Sequence, residues 1–153
     1  MCQLNVFLIS KNISTETIID KMDRLGMQGD CITNDLNLGE NYKDYNLYVS
    51  PAYWCHCHSF VSSFSDKAYD NYNILETFGT SKNVEDFTFE EEFNLFYNYI
   101  SYVVANYGEI KFFSFWNDNT IPKINKKRNI KIKQLTFDVL ARLRYLELLC
   151  ITE

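Results

Sequence analysis

The sequence predicts an α/β or α+β fold with a single mixed sheet of four to six strands and about three helices. Three observations carry this prediction. An apolar run at residues 3–10 is followed by a helical pattern at 14–25. A long, capped helix is indicated at 88–107. Apolar runs typical of strands come after it, at 110–116 and 145–151.

The opening strand and helix have clear local signals. Residues 3–10 are rich in strand formers and predict a buried strand. Ser14 is placed to cap the helix that follows, and Gly26 stands where that helix ends. Four apolar side chains recur at helical spacing between them: Ile18, Ile19, Met22 and Leu25. The first strand, this helix and a later strand are expected to form a crossover unit.

The middle of the chain has weaker signals. Short strands are expected at 30–33 and 47–50, with a polar loop at 34–44 between them. Residues 66–83 mix Tyr, Asn and Asp without a clean period. We expect an exposed connection there, with at most one helical turn.

The helix at 88–107 has the clearest signal in the chain. Thr88 and Glu91 match a capping box, and Gly108 ends the pattern. The apolar stripe of this helix is formed by Phe89, Phe93, Phe96, Ile100, Val103, Val104 and Tyr107. The glutamates at 90–92 lie at the positive end of the helix dipole, which explains an acidic run at this place.

The last third of the chain predicts three strands and one helix. The run at 110–116 is expected to be a central strand. Residues 129–133 alternate in the manner of a half-buried strand with its lysines outward. Thr136 is placed to cap a short helix at 137–144, and 145–151 is the expected last strand.

Composition limits the class of protein. The chain has 153 residues, which fits one globular domain over 1–153. It contains 12 Phe and 11 Tyr but only 5 Gly and 2 Pro, which favours a packed core over disorder. The net charge of -5 gives no global case for nucleic-acid binding, which depends on neutralising phosphates. No apolar run approaches the length of a membrane span.

The cysteines and the start of the chain indicate a cytoplasmic location. Five cysteines are an odd number, so disulfides within one chain cannot pair all of them. The start has no basic stretch followed by a long apolar core, as a secretory signal would. Reduced thiols in the cytosol are therefore expected. The abundance of Asn, Lys, Ile and Tyr suggests an A+T-rich coding source, such as a low-G+C bacterium or its phage.

One stretch concentrates metal-ligating side chains: Cys55, His56, Cys57 and His58. Thiolate and imidazole are the ligands that zinc prefers in proteins, so a zinc site is the leading chemical hypothesis. If the stretch is extended, the two cysteines share one face and the two histidines share the other. Further ligands would then be needed, and three residues are candidates: Cys2, Cys31 and Asp30.

Two other interpretations of this stretch remain open. Free cysteine packs as a small apolar residue, so Cys55 and Cys57 facing a core, with the histidines facing solvent, need no function. Alternatively, Cys2, Cys55 or Cys57 is the nucleophile of a cysteine-dependent enzyme and a histidine activates it.

The opening Met1-Cys2 resembles the start of the class II glutamine amidotransferases, whose N-terminal cysteine is the nucleophile. The resemblance covers these two residues. The glycine-rich and arginine-bearing motifs of that family are missing, as are the common phosphate-binding, dinucleotide-binding and zinc-protease motifs. No activity is transferred on this basis.

A basic stretch interrupts the otherwise acidic sequence: Lys123, Lys126, Lys127, Arg128, Lys131 and Lys133. It is suited to phosphate or to an acidic partner surface. It has no interleaved aromatic residues, so the pattern typical of single-strand nucleic-acid binding is missing. A solvated loop and edge strand is the preferred interpretation, since lysines on an edge discourage unwanted pairing.

These observations predict a small cytoplasmic binding protein that acts through contacts with a macromolecular partner. The high Tyr and Phe content suits interfaces as well as cores, and no catalytic motif is present. A Cys/His cluster with zinc is expected to shape its site. The alternative is a cysteine-dependent hydrolase or amidotransferase-like enzyme.

Overall fold

The computed structural model describes residues 2–50, 56–117 and 122–153. These residues form one six-stranded mixed sheet and four α-helices. This is an α+β fold, one of the two classes that the sequence predicts.

The strands are β1 (Cys2–Ser10), β2 (Asp30–Cys31), β3 (Tyr45–Val49), β4 (Glu109–Asn117), β5 (Lys126–Lys131) and β6 (Glu147–Thr152). The helices are α1 (Thr15–Arg24), α2 (Ile74–Phe78), α3 (Phe89–Tyr107) and α4 (Phe137–Ala141). Short 3-10 turns lie at Glu40–Tyr42, Lys67–Tyr69 and Ile132–Gln134. Residues 66–83 contain both the 3-10 turn at Lys67–Tyr69 and α2, so they hold one helical element more than the sequence predicts.

The strand order is β2-β3-β1-β4-β6-β5, so β1 and β4 are central. Among adjacent described strands only β5 and β6 run parallel, and the other adjacent pairs are antiparallel. The crossover unit expected at the start of the chain is confirmed, because β1 and β2 are both antiparallel to β3, which lies between them, and therefore run parallel to each other on either side of α1 in the chain. After α1 the chain passes through β2 and returns in β3, which lies antiparallel to β1 with Val49 opposite Val6.

One face of the sheet is covered by the helices. Phe96 of α3 packs against Phe7 of β1 and Phe112 of β4, with ring centroids 5.5 and 6.1 Å away. The rings of Phe60 and Phe137 stack with their centroids 4.8 Å apart. This contact joins the part of the chain after residue 56 to α4 within the same core. Burial of these large rings accounts for much of the apolar area that the fold removes from water.

The opposite face has a second, smaller core. Leu4, Val6 and Phe113 are buried there beneath the loop that follows β2 and the segment that precedes β5. Leu38 and Ile124 are among the side chains that these two segments place on the sheet. The polar loop expected at 34–44 thus covers a core face.

The predicted helix caps are confirmed. The Ser14 side chain accepts the backbone N–H of Thr17 at the start of α1. Thr88 and Glu91 form both bonds of a capping box at the start of α3. Gly108 ends α3 with a φ of 89°, a conformation that glycine adopts without the strain of a Cβ.

Two predicted boundaries near the end of the chain are wrong. The strand expected at 129–133 lies at Lys126–Lys131, because the chain enters a 3-10 turn at Ile132. The helix expected at 137–144 ends at Ala141, and Leu146 then takes a φ of 60° before β6 begins. Local spacing does not reveal where tertiary contacts interrupt a regular pattern.

Candidate functional site

The histidine–cysteine stretch is described from His56 onward, since residues 51–55, and Cys55 with them, lie outside the described part of the chain. His56 is buried and His58 is exposed. The backbone N–H of Ser59 donates to the carbonyl of His56 over 3.0 Å, which closes a turn. The alternation of faces expected for an extended stretch therefore does not apply from His56 onward.

His56 lies against the edge of β1. Its backbone N–H donates to the carbonyl of Gln3 over 2.8 Å, and its Nδ1 accepts the backbone N–H of Asn5 over 2.7 Å. β3 pairs with β1 only from Val6 onward, so His56 occupies the edge that β3 leaves open. Because Nδ1 accepts a hydrogen bond it carries no proton, and its lone pair is not available to a metal ion.

The thiol of Cys57 lies beside the same strand. Its Sγ accepts the backbone N–H of Gln3 over 3.4 Å. Cys2 pairs with Asn117 of β4, and strand alternation places its side chain on the face opposite to that of Gln3. The start of β1 is therefore next to this turn.

The other candidate ligands lie elsewhere. Cys31 belongs to β2, where its Sγ is 3.3 Å from the hydroxyl oxygen of Thr33, and Asp30 precedes it at the edge of the sheet. Among the residues that the structure describes, no three His, Cys, Asp or Glu side chains are arranged to hold a metal ion. Zinc binding, whose expected ligands include Cys55, stays a prediction.

A buried carboxylate faces the turn from the first part of α3. The hydroxyl of Ser59 donates to Oε1 of Glu92 over 2.5 Å. The backbone N–H of Phe60 and the side-chain amide of Asn83 both donate to its Oε2, each over 3.3 Å. Glu92 is only 6% exposed, so three donors from two separate segments replace the water that it has lost.

The sequence interpretation missed this carboxylate, because it treats Glu90, Glu91 and Glu92 alike as charges at the helix dipole. Glu92 lies three residues after Phe89 and four before Phe96, which places it on the buried side of α3. That spacing is the sequence signal that distinguishes it. Glu90 and Glu91 are exposed, as the dipole interpretation expects.

The environment of Glu92 changes its acidity. Burial raises the pKa of its carboxyl above the ordinary value of 4.5. The hydrogen bonds from Ser59, Asn83 and Phe60 lower the pKa, in that order of effect, without cancelling the influence of burial. Such a group favours a bound proton or a neighbouring cation over an isolated negative charge.

Glu92 and the turn line a cleft with about 590 Å³ of empty space, including its open mouth. The cleft lies between the chain after α1, the 56–59 turn, the 83–87 loop and the start of α3. Two apolar side chains on its rim are exposed, Val84 at 60% and Phe87 at 38%. Among the described residues that line it, none is Lys or Arg.

The cleft unites residues that sequence reasoning predicted with residues that it missed. His56 and His58 are predicted members, whereas Glu92, Ser59 and Asn83 were not identified. The missed residues come from separate segments that only the fold brings together. No pattern within one segment could reveal the pair formed by Ser59 and Glu92.

The residues from His56 to Ser62 are called here the 56–62 segment. The side chain of Gln3 also joins this segment to the sheet. The side-chain amide of Gln3 donates to the carbonyl of Val61 over 2.8 Å and to the hydroxyl of Ser114 over 3.1 Å. Both Gln3 and Ser114 are buried. The 56–62 segment is therefore held by the sheet on one side and by α3 on the other.

The enzyme alternative requires a thiol that a histidine activates. The described contacts give both the thiol of Cys57 and the ring of His56 backbone partners in β1. A catalytic pairing of Cys2, Cys55 or Cys57 with a histidine stays a prediction.

Comparisons with protein-family models, with curated proteins and with solved structures found no match to this chain. What can be said of the site therefore follows from its own geometry. None of the helices in the described ranges is long and apolar enough to cross a membrane.

Proposed function

We propose that this is a binding protein that recognises a partner protein through the cleft above Glu92. The partner inserts a lysine or arginine side chain that has apolar neighbours. The observation that carries the proposal is a buried carboxylate at the floor of a cleft whose rim exposes Val84 and Phe87.

The floor of the cleft favours a cation. An ionised carboxylate offers about four acceptor positions, and three described donors contact Glu92. Glu85 also lines the cleft, and no described lysine or arginine there neutralises the two carboxylates. A cation gains more from a partly desolvated carboxylate than from an exposed one, because less water screens the pair.

The rim of the cleft favours apolar neighbours of that cation. Exposed apolar side chains that lie together mark interaction surfaces more often than scattered ones do. Val84 directly follows Asn83 in the chain, and Phe87 lies four positions after it. The side chain of Asn83 contacts Glu92 directly. A side chain inserted toward Glu92 therefore brings the neighbouring residues of the partner onto this rim. Arginine with aromatic neighbours is also the composition that dominates binding energy at protein interfaces.

The proposal places the protein in the cytoplasm, a reducing compartment that suits its odd number of cysteines. It needs neither zinc nor a thiol reaction. Both therefore remain separate predictions about Cys55 and Cys57.

Selection from a displayed library of random peptides tests the proposal. We expect the selected peptides to share one lysine or arginine beside aromatic or aliphatic residues. A synthetic peptide of that sequence should lose about thirtyfold or more in affinity when citrulline replaces its arginine. Glu92→Gln should cause a loss of similar size, because either change leaves one partner of a buried pair alone.

Two further variants complete the test. Glu90→Gln changes an exposed carboxylate on the same turn and should bind as the wild type does. Phe87→Ala changes an exposed rim residue, so it should weaken binding without altering the thermal unfolding midpoint. Selected peptides without a cation, or affinities unchanged in both Glu92→Gln and Phe87→Ala, would overturn the proposal.

A further inference from the structure

The outer edge of β5 is open in the described part of the sheet. β5 is the last strand in the order and pairs with β6 alone among the described strands. An edge strand directs alternate N–H and C=O groups away from its neighbour, where they form a template for another strand. Four of the six residues of β5 are exposed.

This edge is also the most cationic region of the chain. Residues 119–137 contain six lysines and arginines and no acidic residue. The other residues of the chain include nine lysines and arginines and twenty acidic side chains. Four exposed lysines there form no ion pair within the described ranges: Lys123, Lys127, Lys131 and Lys133. An acidic protein thus carries one concentrated positive surface.

The positive charge lies on both faces of β5, but it is neutralised on only one. Ile130 packs against the helix-side core, so strand alternation places Arg128 on that face and Lys127 and Lys131 on the other. On the helix side, Nε of Arg128 is 3.1 Å from Oε1 of the buried Glu147. No described carboxylate forms an ion pair with Lys127 or Lys131 on the other side.

We propose that β5 binds an acidic, extended segment of a partner protein as an added strand. Backbone hydrogen bonds to the open edge provide the affinity, and side chains at alternate positions provide the specificity. Carboxylates at every second position of the segment then lie beside Lys127 and Lys131. This edge and the cleft above Glu92 share no lining residue, so the inference goes beyond the proposed function and does not depend on it.

Two other partners match the outer edge of β5 less well than an acidic peptide segment does. Pairing of β5 with β5 of a second copy would place like charges opposite each other, which is destabilising across strands. A nucleic acid would match the lysines, but its phosphates supply no donors for the open carbonyl groups of the edge.

The direct test uses a synthetic peptide of about six residues, the length of a typical strand and of β5, with alternating glutamate and valine. Titration of the isotope-labelled protein should shift the NMR signals of residues 126–131. Hydrogen exchange of the same amides should slow, because the added strand shields the edge. A peptide in which every backbone amide is N-methylated keeps the charge but donates no backbone hydrogen bond, and it should neither bind as tightly nor slow the exchange.

Charge reversal provides the matched variants. The double variant with Lys127→Glu and Lys131→Glu should weaken binding of the peptide about tenfold or more. The control with Lys11→Glu and Lys67→Glu changes the net charge by the same amount at other surface positions, and it should have a smaller effect. Equal binding of the N-methylated peptide would overturn the proposal. So would tighter binding of a single-stranded oligonucleotide, or a dimer in sedimentation experiments that the acidic peptide does not dissociate.

Discussion

The hydroxyl of Ser59 donates a hydrogen bond of 2.5 Å to Oε1 of Glu92. This bond joins the 56–62 segment to α3, while His56 joins the same segment to β1. Thirty-three residues separate Ser59 from Glu92 in the chain. The shape of the cleft therefore depends on polar contacts that are formed only when the sheet and α3 have come together.

Glu92→Gln should remove the fall in the free energy of unfolding that Glu92 causes as pH rises above 4.5. The pKa of Glu92 is raised in the folded state, so the folded protein keeps a proton there at pH values above 4.5 where the unfolded chain has lost it. The folded state binds more protons in this range. The contribution of Glu92 to stability therefore falls as pH rises through the range and returns on acidification. Urea denaturation at a series of pH values measures the slope.

Glu90→Gln is the control for this prediction, because Glu90 is exposed on the same helical turn. Its pH dependence should follow that of the wild type. If Glu92→Gln and the wild type show the same slope from pH 4.5 upward, the carboxyl of Glu92 is not desolvated in the way described.

Thr88→Ala should lower the free energy of unfolding by about 1 kcal/mol, because the side chain that accepts the backbone N–H of Glu91 is lost. Chemical denaturation monitored by circular dichroism gives the value. Asn98→Ala, on the exposed side of α3, should change stability by less than about 0.5 kcal/mol. An effect of Thr88→Ala no larger than that of the control would contradict the cap.

Phe96→Ala should cost about 3–5 kcal/mol, because it removes a ring from the centre of the helix-side core. The ring of Phe96 contacts Phe7, Phe60 and Phe112, which belong to three separate segments. The neighbouring elements cannot all close the cavity at once. A variant as stable as the wild type in the same denaturation experiment would show that α3 does not pack as described.

His56→Ala should destabilise the protein by about 1–3 kcal/mol, because the backbone N–H of Asn5 loses its acceptor in a buried place. His58→Ala is the matched change at an exposed position two residues away, and it should be near neutral. Thermal and urea unfolding of the two variants, measured together, separate the roles of the histidines. Equal effects would mean that the bond from Asn5 contributes nothing.

Zinc is tested by elemental analysis of protein that is kept reduced and never exposed to a chelator. The sequence prediction is that zinc copurifies and is lost in the variant Cys55→Ser with Cys57→Ser. Cys150→Ser is the control, because Cys150 is buried in the opposite core. Wild-type protein without zinc would exclude the predicted metal site.

The local elements could be read from the sequence because their signals are local. Ser14, Thr88 and Gly108 mark helix ends through contacts with residues three or four positions away. The apolar stripe of α3 follows from the same short spacing. The direction of β3 could not be read, because pairing with β1 joins residues about forty positions apart, Val6 and Val49 among them.

The candidate site could be predicted only in part. The cluster at His56, Cys57 and His58 stands out by composition, so the sequence located one wall of the cleft. It did not locate Glu92, whose importance depends on burial and on donors from other segments. The spacing of Glu92 from Phe89 and Phe96 indicates the buried side of α3, but it does not indicate which donors meet the carboxylate there.

The sequence by itself determined a mixed sheet with helices in the α/β or α+β class, the positions of the main helices and the concentration of positive charge between Lys123 and Lys133. Only the tertiary structure decided that His56 lies on the edge of β1, that Glu92 is buried against Ser59 and that β5 ends the sheet. The reason is physical. Helix propensity and charge are properties of short stretches, whereas desolvation and strand pairing exist only between stretches that folding brings into contact.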